Sequence, residues 1–96
     1  MNSVDLLEMA LETARRHGYQ IRHEWLGGIS GAACEFGGKK WIFVDLSLAT
    51  AEQLEQVESA LVDDPSIGEQ RLIADVALQM QARRVTADAP QRRLAA

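Results

Sequence analysis

The spacing of apolar residues changes period along this chain, and each change marks an element. From Ser3 to His17 the spacing is helical: Val4, Leu7, Leu11 and Ala14 share one stripe, widened by Leu6 and Ala10. Ser3 reads as the N-cap, Asp5 suits the first turn, and Gly18 reads as the stop. Tyr19 to Leu26 then alternates strictly, with Tyr19, Ile21, His23 and Trp25 on one side. That is a half-buried strand, placed at a sheet edge. Gly27, Gly28, Ile29, Ser30 and Gly31 form a loop whose length leaves the register of Trp25 open.

Two β-rich runs follow, separated by Gly37 and Gly38. Glycine tolerates φ > 0, which a two-residue type I′ turn needs at both central positions. Such a turn sets Phe36 opposite Lys39, Glu35 opposite Lys40, Cys34 opposite Trp41 and Ala33 opposite Ile42. One sheet face then carries Ala32, Cys34, Phe36, Trp41, Phe43 and Asp45. The other carries Ala33, Glu35, Lys40, Ile42, Val44 and Leu46. Both faces are largely apolar, which predicts that the strand from Lys40 to Leu46 is central. It also predicts cover on both faces, by a helix, a second subunit or both.

A second helix begins at Thr50, with Gln53 in the capping-box position and Leu54, Val57, Ala60 and Leu61 as its buried stripe. Asp64 reads as the cap and Pro65 as the first residue of a third helix reaching about Arg84. Its stripe is Ile67, Leu72, Ile73, Val76, Ala77 and Met80. From Thr86 the periodicity fades around Pro90, so 1–85 reads as a single α+β domain and 86–96 as a flexible C-terminal tail. Short turns favour neighbouring strands. The expected fold is therefore a three-stranded antiparallel β-meander with an N-terminal helix and two C-terminal helices, α-β-β-β-α-α.

Composition narrows the partners. A chain of 96 residues holds one domain, and a net charge of −4 argues against nucleic acid or anionic membrane as a non-specific partner. One cysteine excludes an intrachain disulfide and points to a reducing compartment. With no apolar run near ~20 residues and no signal segment, the expected location is cytoplasmic.

No residue pattern here carries a strong chemical signal. Cys34 as a nucleophile needs a neighbour such as His17 or His23 to lower its pKa; mid-strand, it reads as a small hydrophobe. His17, His23, Cys34 and Asp45 lack metal-ligand spacing, so no metal and no cofactor is expected. The paired glycines match neither a P-loop nor a dinucleotide fingerprint. Glu52, Glu55 and Glu58 lie opposite a buried stripe and read as a solvated face. Asp45, at a strand end, suits the capping of a loop. Trp25, Phe36, Trp41 and Phe43 are the largest apolar groups, and they read as core or, with Cys34, as an interface or groove.

The run from Gly31 to Asp45, GAACEFGGKKWIFVD, followed by Gln53, Leu54, Glu55, Ala60 and Leu61, resembles a group of small uncharacterised bacterial proteins. They share a glycine-flanked cysteine strand, a Gly-Lys turn, an aliphatic strand and a helix ending in Ala-Leu. The likeness covers Gly27 to Leu61 and implies architecture without an activity. The element order is also similar to that of double-stranded-RNA-binding domains, which grip phosphate with lysines opening their second helix. Here that helix opens Thr50, Ala51, Glu52, Gln53, so RNA binding is disfavoured. It also lacks the H-E-x-x-H of strand-then-helix zinc peptidases. The reading that remains is a non-enzymatic interaction module acting as a homodimer. The alternative is a small-molecule or peptide binder with an apolar groove near Trp25, Trp41 and Cys34. A thiol-dependent enzyme ranks last.

Overall fold

A computed structural model describes residues 2–28 and 33–95, with side chains as far as Ala82; Ile29, Ser30, Gly31 and Ala32 lie outside the described residues. The elements are α1 (Ser3–Arg16), β1 (Tyr19–Glu24), β2 (Ala33–Phe36), β3 (Lys39–Asp45), α2 (Thr50–Val62) and α3 (Glu69–Ala95). The element order and α+β class are those expected.

The sheet is mixed, which corrects the antiparallel meander. Its strand order is β1-β3-β2, with β1 parallel to β3 and β2 antiparallel to it. Two sequence arguments had competed. Neighbouring pairing put β2 in the middle; the apolar character of β3 put β3 there. Burial decided, because Ile42 and Val44 are fully buried while every residue of β2 is exposed. β1 ends at the Glu24–Asp45 pair and β2 begins at the Ala33–Ile42 pair, on the other side of β3.

The β2–β3 hairpin has the expected register, from Phe36 opposite Lys39 to Ala33 opposite Ile42. Gly37 and Gly38 stand at φ +61° and +74°, as the tight turn requires. Tyr19, Ile21, Ile42 and Val44 line the face under the helices. They pack with Ala10, Leu11 and Ala14 of α1, with Val57 and Leu61 of α2, and with Ile67. Each fully buried aliphatic side chain contributes roughly 1.5–3 kcal/mol.

The helix ends differ in detail from expectation. Asn2, one residue before Ser3, is the cap of α1 and accepts from the Asp5 amide at 3.0 Å. Gln53 anchors the start of α2 by donating to the Leu48 carbonyl at 2.9 Å. The Asp64 carboxylate accepts from both the amide and the hydroxyl of Ser66, at 2.8 and 2.6 Å. That makes a local turn, and α3 starts only at Glu69, after Gly68 at φ +77°. Its backbone passes Arg84 and runs helically through the stretch read as a tail, to Ala95.

The face α3 turns inward is partly polar. His17 Nε2 donates to Asp75 Oδ2 at 2.6 Å, and Gln79 donates to the Thr13 hydroxyl, which itself donates to the Met9 carbonyl at 2.9 Å. Gln79 is buried, whereas Ile73, assigned to the stripe, is exposed.

Candidate functional site

The helices cover one side of the sheet only. On the other side the hairpin register aligns Cys34, Phe36, Lys39, Trp41 and Phe43, with Gln20, Arg22 and Glu24 beside them on β1. Phe36, Trp41 and Phe43 stack in sequence, with ring centroids 5.7 and 6.3 Å apart and interplanar angles of 10° and 19°. Offset stacking of this kind is worth about 0.5–1.5 kcal/mol per pair. The ladder stays accessible: Phe36 is 59% exposed and Trp41 and Phe43 are half-buried. Trp25, just past β1, is 76% exposed. The expected cover on both faces of β3 is thus met by helices on the Ile42 and Val44 face alone. The reading of the aromatics as core is corrected: they lie outside the buried cluster.

The Trp41 indole nitrogen is enclosed and has no hydrogen-bond partner among the described residues. Cys34 is an exposed free thiol on the same face. It does not meet either histidine proposed to activate it. His17 is engaged by Asp75, and His23 pairs in register with Val44, on the opposite face and two strands away. Arg22 and Glu24 form an ion pair of 2.9 Å, so the polar border of the ladder carries both signs.

A second concave feature arises because the sheet is wider than its helix layer. α1 packs on β1 and α2 on β3, which leaves β2 overhanging. The notch beside α2 has a volume of about 950 Å³. Ala33 and Glu35 of β2 and Glu52, Glu55, Ser59 and Asp63 are among its walls. Of the residues expected at a groove, Cys34 lines the notch and Trp25 and Trp41 do not.

One end of the notch is closed by a polar cluster that sequence reasoning missed. Asp64 Oδ2 accepts from the Tyr19 hydroxyl at 2.5 Å and from Lys40 Nζ at 2.9 Å. Lys40 Nζ also donates to Ser66 Oγ at 2.9 Å and sits 5.1 Å from the Tyr19 ring centre. A serine beside a lysine invites a nucleophile–base reading, but the cluster does not support one. The Ser66 hydroxyl, then the Tyr19 hydroxyl, hold the Asp64 carboxyl far below its usual range, and Lys40 adds to this. Burial, with the Asp64 bond next, pushes the Tyr19 hydroxyl far above its usual value. The Ser66 hydroxyl donates to Asp64 Oδ1 at 2.6 Å while Lys40 Nζ donates to Ser66, so the hydroxyl proton is directed at the carboxylate and not at the amine. The only signal for this cluster was Asp64 beside Pro65, read as a helix cap.

Asp45 performs the loop capping expected of it. Its carboxylate is fully enclosed and accepts from the amides of Leu26 (3.0 Å), Gly28 (2.8 Å) and Ser47 (2.9 Å) and from the Ser47 hydroxyl (2.6 Å). The Ser47 hydroxyl is the largest cause holding its pKa down to about 2; the three amides assist, against the opposing effect of burial. Asp45 thereby fastens the chain just past β1 to the end of β3. Among the described residues, no three His, Cys, Asp or Glu side chains are grouped to hold a metal.

Comparison of the chain with protein-family models, curated proteins and solved structures finds no match. No helix among the described residues is long and apolar enough to cross a membrane.

Proposed function

We propose that this protein is a non-enzymatic interaction module, and that the open sheet face packs against the same face of a second copy. The observation that carries this is the accessible Phe36–Trp41–Phe43 ladder on a sheet whose other face is the core. Aromatic side chains at the centre of a patch with a polar border are the usual make-up of a protein interface.

A second copy suits this face because its border is self-complementary. Arg22 and Lys39 supply positive charge and Glu24 negative charge on one surface. A two-fold axis can set aromatic against aromatic, and Arg22 and Glu24 of one copy against Glu24 and Arg22 of the other. Two twisted sheets packed in this way lie about 10 Å apart, which fits interdigitated aromatic rings. The cytoplasmic location suggested by the single cysteine belongs to the same reading.

Cys34 reports on this face directly. The rate of its alkylation by iodoacetamide is expected to fall as protein concentration rises through the dimerisation range. In Phe36→Lys, which places a charge in the ladder, the fall in rate is expected to be much smaller at the same concentrations. A wild-type rate independent of concentration would remove the proposal.

A further inference from the structure

We infer that the notch between β2 and α2 receives the C-terminal segment, residues 83–96, of a second copy. The inference stands on different residues from the aromatic ladder, since Phe36, Trp41 and Phe43 do not line the notch, although Cys34 borders both. It starts from the overhang of β2, whose exposed Ala33 and Glu35 line the notch with α2.

Charge is divided unevenly along the chain. Residues 83–96, RRVTADAPQRRLAA, hold four arginines and one aspartate, a net +3. The whole chain is −4, so residues 1–82 carry −4 − 3 = −7. Part of that negative charge faces the notch: Glu35 from the sheet, and Glu52, Glu55 and Asp63 along α2. Lys40 is the one cation among the described residues of the lining, and Asp64 already engages it.

The spacings match as well as the signs. Glu55 on α2 and Asp63 just past its end are eight residues apart, about 12 Å at the helical rise of ~1.5 Å per residue, with Glu52 one turn before Glu55. Arg84 and Arg92 are also eight residues apart, and the α3 backbone is helical over both, which gives the same ~12 Å. Two basic pairs, 83–84 and 92–93, can therefore meet the Glu52–Glu55 turn and Asp63 along one groove. Small residues between them, such as Ala87 and Ala89, suit a narrow floor that includes Ala33 and Ala60.

The geometry selects a second copy over the chain's own segment. Asp63 to Ser66, at the mouth of the notch, come just before α3 begins at Glu69. The helix then carries Arg84 roughly 20 Å and Arg92 roughly 35 Å from that start, so it cannot fold back while helical.

The test uses a fluorescein-labelled peptide of residues 83–96 and the full-length protein, read by anisotropy. Saturable binding is expected, weakening as salt rises and at least tenfold weaker for Glu52→Lys/Glu55→Lys. Both positions are exposed, and circular dichroism checks that the double variant is folded. Phe36→Lys is expected to bind the peptide like wild type, which separates this inference from the dimer proposal. Absent binding, equal affinity in the double variant, or equal affinity for a scrambled peptide of the same composition would each overturn it.

Discussion

At the scale of single residues, two aspartates organise the molecule. Asp45 gathers the linker at the end of β3, and Asp64 joins the start of β3 and β1 to the turn before α3. Both release their protons more readily in the folded chain than in the unfolded one. The stabilisation they bring is therefore complete above the ordinary carboxylate value of 3.8 and is lost as pH falls through the folded value, about 2 for Asp45. Urea midpoints should accordingly be flat above pH 3.8 and fall as the pH drops from there toward about 2. Asp45→Asn should be less stable at neutral pH and show a shallower acid slope; a slope equal to wild type would mean that Asp45 does not carry it. The role of Asp45 was legible because an aspartate at a strand end commonly caps a loop. That of Asp64 was not: its partners Tyr19 and Lys40 lie 45 and 24 residues away, and no local pattern announces such a meeting.

Among the elements, the hairpin was read most fully, because its register follows from two glycines and a period of two. Gly38→Ala should cost about 1–2 kcal/mol, since an L-residue there enters the left-handed region. Chemical denaturation would show this as a lower midpoint at unchanged slope, and an unchanged midpoint would contradict the turn. The parallel pairing of β1 with β3 was not legible. Alternation in Tyr19–Glu24 marks an edge strand without saying which neighbour it takes or in which direction. The inward face of α3 was misread for a different reason. Asp75 and Gln79 face α1 because His17 and Thr13 offer them hydrogen bonds, and an apolar-stripe rule cannot see polar residues buried as pairs.

For the whole molecule, the consequence is a three-stranded sheet with helices on one side and aromatics on the other. The apolar character of both faces was visible in the alternation of Lys39–Asp45, and so was the central place of that strand. Which face the helices would take was not, because Ile42 with Val44 and Trp41 with Phe43 are equally good candidates by hydrophobicity. The helices took the aliphatic side, where Val57 and Leu61 pack closely, and the broad rings were left outward. The same pattern explains the proposed dimer: a face apolar enough for a core but lacking a helix is matched by a second sheet. Sedimentation equilibrium at micromolar to high micromolar concentration tests this most directly. At a salt concentration that suppresses the charged contact of the C-terminal segment, the wild-type chain should approach twice the monomer mass as concentration rises, with Phe36→Lys monomeric in the same buffer. A wild-type chain that sediments as a monomer at high micromolar concentration would contradict the account.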